Sequence, residues 1–379
     1  MTVHDAFKVE RQTSEAPGGI VLLHIRGKGE FAHQHDAATR REIGRRLAAL
    51  KGFRFGGEHD AGRDYRGPLY LVPSDTILSD EASALGIAGE GDLFGGVVPH
   101  AFVATKAITH PLVDPGAEAP PGWSHDFARH MEGAVVEGFT AFTLDDARRA
   151  ALRLLERGPL RLKPVLATSG RGQVTVRDET ELDARLGALD TDGLSEVGLV
   201  LEEDLADVET YSVGQVRVDD LLVSYVGTQG TTPNARGEEV YGGSDLLFAR
   251  GGFDALLDFD LPQPIRLAVI QASQYDAAAL ECFPGLFASR RNYDVAQGIN
   301  CRDRRCSGVL EQSWRLGGAT GAEIAALEAF RADTGLEQVR ASTIERYGDS
   351  GSPPAGAAIY FQGTDDVEGP MVKYAVIAP

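Results

Sequence analysis

The sequence predicts a mixed protein: an open α/β sheet at the N-terminus, followed by α+β lobes built on antiparallel hairpins. Three observations lead there. An apolar run at 19–25, a helical stretch at 37–50 and a second apolar run at 69–73 follow one another as in an open α/β sheet. Further on, strand patterns are joined by glycine-rich or polar turns instead of helical crossovers, around 160–176 and again around 286–321. And 379 residues are too many for one small core and enough for two or three lobes.

Composition bounds the function. Apolar residues make up 43% and charged residues 25%, an ordinary globular balance. No apolar run reaches membrane-spanning length and residues 1–15 are polar, so neither anchor nor signal peptide is expected. Three cysteines, Cys282, Cys301 and Cys306, are too few for a disulfide framework and fit a reducing cytoplasm. The formal charge of −19 argues against nucleic acid or an acidic membrane as partner. An anionic ligand such as ATP would need local cations to enter that field.

In chain order, the turn 26–30 after the first strand has two glycines but lacks the dinucleotide fingerprint, so it reads as a tight turn. His33, His35 and Asp36 together could hold a metal, but they stand at a helix start, where Asp36 or a neighbour serves as N-cap. Lys106 sits alone in the mostly apolar stretch 92–112. It reads either as a surface lysine or as a half-buried cation beside an anion. Residues 115–123 read as a proline-rich loop. A helix over 143–157 is capped by Thr143, with Asp145 and Asp146 in its first turn.

Lys163 lies on the strand before Ser169-Gly170-Arg171-Gly172, and another strand follows. Glycines there let backbone N–H groups approach phosphate, and Arg171 adds charge, although a plain glycine hairpin has the same sequence. A helix is expected over 178–189. An apolar strand from 197 ends at Glu202, Glu203 and Leu205, with Glu209 beyond it. Such a hinge can present amide groups to an adenine ring and a carboxylate to ribose; taken singly, these acids read as surface charge. The Gly, Thr and Ser-rich stretch 227–250 reads as a loop region, facing an acceptor substrate or without function. Residues 276–282 belong to a helix, 322–331 are amphipathic, and 357–361 and 372–377 read as strands. Cys301 and Cys306 have no further cysteine near them, a poor zinc set.

The segment 286–321 carries the densest signal. Two strands joined by a loop at 299–307 place Asn292 and Asp294 on one face of the first, and Glu311, Ser313 and Arg315 on one face of the second. Paired around that loop, Asp294 and Glu311 approach each other. Facing carboxylates beside an arginine make a poor core and a good site for a hard cation holding phosphate oxygens; the alternative is a solvated hairpin face.

The order of these blocks resembles the ATP-grasp superfamily, across about 106–320. More closely, 92–106, 289–298 and 307–318 are similar to a family of uncharacterised bacterial proteins with an ATP-grasp core. The resemblance implies an N-terminal Rossmann-like lobe (1–105), a small lobe with the phosphate loop (106–201) and a large lobe with the metal site (202–379), the last two gripping ATP. It implies that Lys106 and Lys163 hold the α- and β-phosphates. Ser169, Gly170, Arg171 and Gly172 would close over the γ-phosphate; Glu202, Glu203 and Leu205 form the adenine hinge; Glu209 takes the ribose. Asp294 and Glu311 would bind Mg2+, one ion or two, and Arg315 would steady the transferring group. Two departures stand out. Ser313 replaces an asparagine metal ligand, which weakens the case for a second ion. Asn292 stands where some ligases have an arginine, with Arg290 or Arg291 as its replacement.

The implied activity is an ADP-forming ligase joining a carboxylate to an amine or similar nucleophile through an acyl phosphate. A small-molecule kinase and a nucleotide-binding regulatory protein without turnover are the alternatives. No biotin-accepting segment is present. Partners are small molecules, and a homodimer is compatible with the sequence. Two expectations follow: ATP binding depends on Lys163, and removing the charge of Glu311 relieves repulsion in the empty protein without loss of stability.

Overall fold

The computed structural model describes residues 18–25, 33–166, 172–348 and 351–378. The N-terminal unit holds β1 (Ile20–His24), α1 (Gln34–Lys51), β2 (Arg54–Glu58), β3 (Leu69–Pro73), β4 (Ile77–Leu78), α2 (Ser79–Ala84) and β5 (Gly96–Val98). β1 runs parallel to both its neighbours, in the order β2-β1-β3. A strand covered on both faces reads as a continuous apolar run, which is why 19–25 was legible. β2 is glycine-rich and half exposed, and its sequence carries no such signal.

α1 ends at Gly52, whose φ of 65° lets its N–H reach Ala48 and Ala49 carbonyls. Its start corrects the expected cap. His33 is the N-cap and makes no side-chain cap bond, while Asp36 lies in the first turn. The N–H of His35 donates instead to Asp365, 330 residues away, at 3.1 Å. A carboxylate from a distant strand satisfies the orphan donor, and no local pattern can announce that.

The second unit contains α3 (His125–His130), β6 (Gly138–Ala141), α4 (Leu144–Leu155), β7 (Leu160–Pro164), β8 (Val174–Val176), α5 (Glu179–Gly187), α6 (Leu194–Val197) and β9 (Leu199–Glu203). Thr143 caps α4 by accepting from the Asp146 N–H, and Asp178 caps α5 by accepting from the Glu181 N–H. Strand order is β6-β9-β7-β8, all antiparallel. β7 and β8 form the expected hairpin.

The third unit is dominated by an eight-stranded antiparallel sheet. Its elements are β10 (Leu205–Val218), β11 (Leu221–Pro233), β12 (Glu239–Arg250), α7 (Phe253–Leu257), α8 (Gln263–Cys282), β13 (Phe287–Ala288), β14 (Arg290–Asn300), β15 (Arg305–Ser313), α9 (Thr320–Ala332), β16 (Gln338–Tyr347), β17 (Ala358–Asp365) and β18 (Gly369–Ile377). The order is β15-β14-β10-β11-β12-β16-β18-β17. β13 leaves this sheet to pair with β5, tying the third unit to the first.

Three expectations need correction here. The Gly and Thr-rich stretch 227–250 is a long β-hairpin, because its glycines sit where backbones crowd: a Cβ on Gly227 would stand 1.8 Å from the Asp245 carbonyl oxygen. The loop between β14 and β15 is only 301–304, since Asn300 accepts from the N–H groups of Arg302 and Arg304 and closes it tightly. α9 is not amphipathic over its first two turns. Thr320–Leu327 are all buried, between α1 and the large sheet. Among the described residues no helix is long and apolar enough to cross a membrane.

Candidate functional site

Strand pairing places the central carboxylates. Asn292 pairs with Ser313 and Asp294 with Glu311, while Ser212 of β10 stands on the other side of Asp294. Asp294, Glu311, Ser313, Arg315, Lys106 and Glu209 all line one cleft of about 1940 Å³. Single small-molecule pockets are typically ~300–1,000 Å³, so this cleft has room for more than one ligand.

Asp294 is held by two side-chain amides. Gln229 of β11 donates to its Oδ1 at 2.7 Å and Asn292 at 3.0 Å. Burial, with the charge of Glu311 added, pushes its carboxyl up to about 6. Asn292 is fixed in turn: its Oδ1 accepts from Ser212 at 2.8 Å and from Tyr225 at 2.7 Å. Glu311 is not left to repel Asp294 alone. The buried ammonium of Lys106 lies 2.5 Å from its Oε2. Glu311 is the counterion of a buried lysine, so removing its charge strands Lys106 and works against the expected relief of repulsion.

Lys106 opens a short 3-10 turn, Lys106–Thr109, in which Thr105 accepts from the Ala107 N–H. Gln312 holds that segment against β15: it donates to the carbonyls of Val103 and Thr105 at 2.8 and 2.7 Å, and accepts from Tyr275 at 3.0 Å. Arg315 donates to the Leu316 carbonyl at 3.1 Å and lies 3.5 Å from Asp75. Glu209 accepts a hydrogen bond from the Tyr211 hydroxyl. Burial and that carboxylate push the Tyr211 phenol up to about 12.

Other expected site residues lie elsewhere. Lys163 and Glu202 form a buried ion pair inside the small sheet, with the His110 ring 3.2 Å from Glu202. Burial works to raise the Glu202 carboxyl, but Lys163 and His110 outweigh it and hold the group at about 2. Glu202 and Glu203 are consecutive strand residues, so their side chains point to opposite faces of the sheet. Glu203 turns toward the 301–304 loop, accepting from Asn300 at 3.1 Å, and Leu205 is buried. Ser169, Gly170 and Arg171 lie outside the described residues. Gly172 begins β8's approach at φ 71°.

Arg291 is corrected by strand alternation. It faces away from Asp294 and pairs with Glu90 at 2.6 Å and Asp276 at 3.2 Å. Arg290 is the arginine that borders the cleft. It is buried, bound to Glu323 at 2.8 Å, and donates to the carbonyls of Ser313 (3.1 Å) and Arg315. With those donors engaged it is a positioning residue. Gln229, Asn292's partners Ser212 and Tyr225, and Glu323 come from three different elements, and no local pattern in the sequence marked them.

Comparison with solved structures identifies the fold. An N5-carboxyaminoimidazole synthetase from Staphylococcus aureus superimposes with a TM-score of 0.53 at 10% identity, over 95% of this chain and 93% of that one. The same enzyme complexed with ADP gives 0.52 at 11%, over 95% and 93%. A biotin carboxylase from Campylobacter jejuni, in complex with βγ-ATP, gives 0.54 at 12%, over 95% and 87%. The fold is that of the ATP-grasp superfamily, with mixed lobes and a Rossmann-like N-terminal unit. No curated protein matches the sequence. Residues 23–375 match a family described as protein of unknown function DUF3182, and the chain belongs to that family.

Proposed function

We propose that the protein is an ATP-dependent, ADP-forming ligase that joins a carboxylate to an amine or similar nucleophile. The observation that carries this reading is the facing pair Asp294–Glu311, set in a cleft with Lys106 and Arg315 on an ATP-grasp fold. The nucleotide is supported by the ADP and ATP-analogue complexes of the similar enzymes.

The residues fit a magnesium ion. A carboxyl pushed up to about 6 beside a second carboxylate lacks positive charge, and Lys106 supplies only one. Mg2+ is held by few carboxylates and by phosphate oxygens, and here Asp294 and Glu311 would hold it. When bound, the ion neutralises charge on the polyphosphate. Ser313, a neutral hydroxyl, is a weak ligand, and Asn292 turns its amide nitrogen toward Asp294. One ion fits this set better than two.

In the proposed reaction a substrate carboxylate oxygen attacks the γ-phosphorus. The bond to the β,γ-bridging oxygen breaks and ADP leaves. The amine then adds to the acyl carbon and inorganic phosphate leaves. The chain's residues act by position and charge. Arg315 steadies the transferring phosphoryl group, Lys106 exchanges Glu311 for phosphate oxygens, and Glu209 exchanges Tyr211 for ribose hydroxyls. The roles of Ser169, Gly170, Arg171 and Gly172, and those of Lys163, Glu202, Glu203 and Leu205, rest on the sequence resemblance alone. Lys163 reaches phosphate only by parting from Glu202.

The test is ADP release from Mg-ATP across paired panels of carboxylates and amines. Release that needs both substrates, and vanishes in Asp294→Asn, supports the ligase. A stable phosphorylated product from one substrate assigns a kinase. ATP binding without ADP under every pairing assigns a binding protein.

A further inference from the structure

A second polar cluster stands on the other wall of the cleft, where α1 begins against the turn between β17 and β18. His33 and His35 flank the first residue of the helix, their rings stacked 5.2 Å apart at 16°. Asp365 ends β17 and is wholly buried. One ligand atom from each of the three lies within 4.8 Å of the others.

Asp365 is a fixed anion. Its Oδ1 accepts from the N–H groups of Val367 (2.9 Å) and Glu368 (3.1 Å), and its Oδ2 from that of His35. Three N–H donors on one carboxylate fix it in place and favour its charged form. The histidines are less settled. Both Nδ1 atoms are buried without a hydrogen-bond partner, and His35 is only 6% exposed. Asp365 Oδ1 is 3.7 Å from His33 Nδ1, and Asp36 Oδ1 is 3.2 Å from His35 Nδ1. Lone pairs of two imidazoles and a carboxylate converge with nothing between them. Burying an imidazole nitrogen without a hydrogen-bond partner is unfavourable, and one cation beside the Asp365 carboxylate satisfies both rings.

We propose that His33, His35 and Asp365 form a binding site for one divalent transition metal, with Zn2+ as the reference ion. Two imidazole nitrogens and one carboxylate are a borderline-soft set that suits Zn2+ and disfavours Mg2+. A tetrahedral centre with bonds of about 2.1 Å needs ligands about 3.4 Å apart. The ligand atoms lie within 4.8 Å of one another, so closing to that geometry takes side-chain movement of about 1.4 Å or less per pair. The three residues leave the fourth position open. His33 and His35 line the cleft, so that position faces an oxygen of whatever occupies it. The ion would also clamp the start of α1 to β17. This site uses none of Lys106, Asp294 or Glu311, so it stands independently of the nucleotide reading.

The experiment titrates the chelator-treated full chain with Zn2+ alone, by calorimetry and thermal melting, and with Co2+ for its visible absorption. One Zn2+ per chain, a raised melting point and the intense absorption of four-coordinate Co2+ are expected. His33→Ala and His35→Ala should each bind at least ~100-fold more weakly, since loss of a mere supporting partner already costs about 10–100-fold. His33 makes no cap bond, so His33→Ala should keep the melting point of the metal-free parent. Asp365→Asn is less useful, because that carboxylate also holds the helix start. Asp294→Asn should leave the Zn2+ response intact. Absence of saturable binding, or a response that survives both histidine substitutions, overturns the proposal. So does a response lost in Asp294→Asn, which would assign the ion to the carboxylate pair.

Discussion

At the scale of single residues, the cleft stores charge in unequal pairs. Asp294 is raised by burial and by the neighbouring Glu311, and its titration has a definite sign. Its carboxyl sits near 6 in the fold against an ordinary 3.8, so its contribution to stability is complete below about pH 4 and is lost as pH rises through 6. Asp294→Asn keeps an oxygen for Gln229 and Asn292 but carries no charge. It should stabilise the empty protein by about 3 kcal/mol at pH 7.5 and by almost nothing at pH 4. Urea melts at the two pH values measure this; equal effects at both would place Asp294 in solvent. The same variant should lose the melting shift produced by Mg-ATP. Lys163 gives the opposite case. Truncating it to alanine strands Glu202 in the small sheet with His110 as its nearest base, and about 3–5 kcal/mol should be lost. Lys163→Met combined with Glu202→Gln should lose much less than the sum of the single changes. Additive losses in denaturant melts would mean that the two side chains are not paired before nucleotide arrives.

The β14–β15 hairpin is the element on which the site depends, and three contacts pin it. Arg290 locks the start of β14 to Glu323 of α9. Gln312 locks β15 to the 103–105 segment. Between them β15 runs against the backbone of 134–136, where the Val309 N–H donates to the Ala134 carbonyl at 2.8 Å. Gly308 permits that approach: a Cβ there would stand 2.4 Å from the Val136 nitrogen. Backbone on one side and sheet on the other leave no room to relax. Gly308→Ala should therefore cost about 1–3 kcal/mol and shift the register contacts that carry Glu311. A calorimetric melt gives the loss. An unchanged midpoint would show that the 134–136 segment is free to withdraw.

For the molecule as a whole, the charge of −19 is the dominant electrostatic fact. Many surface ion pairs offset it locally, such as Arg41–Glu58 and Arg148–Asp183, but exposed pairs contribute ~0–1 kcal/mol each and are themselves screened. Self-repulsion of the excess acid acts over the whole surface and opposes compaction. Raising NaCl from low concentration to ~0.5 M should accordingly raise the melting temperature of the ligand-free protein. A falling midpoint in that salt series would mean that attractive pairs outweigh the net charge.

Local pattern was enough for much of the frame. Apolar runs, a Thr or Asp cap and glycine turns are read by the residues beside them, so β1, β3, α4, α5 and the β7–β8 hairpin were all legible. The period of two within a strand also foretold that Asp294 and Glu311 would meet, since a hairpin makes near neighbours of residues close in sequence. What lay outside the sequence were pairings across the fold. The same period of two that joined Asp294 to Glu311 set Arg291 apart from them, but which face met the cleft depended on β10 and α9. Lys106 meets Glu311 and Lys163 meets Glu202, pairings that no spacing in the sequence announces. Asp365 capped a helix 330 residues away and brought a carboxylate to two histidines that read only as a helix start. A buried charge takes whichever opposite charge the packed chain brings within reach. That choice is made by tertiary structure, because the partners share no periodicity along the sequence.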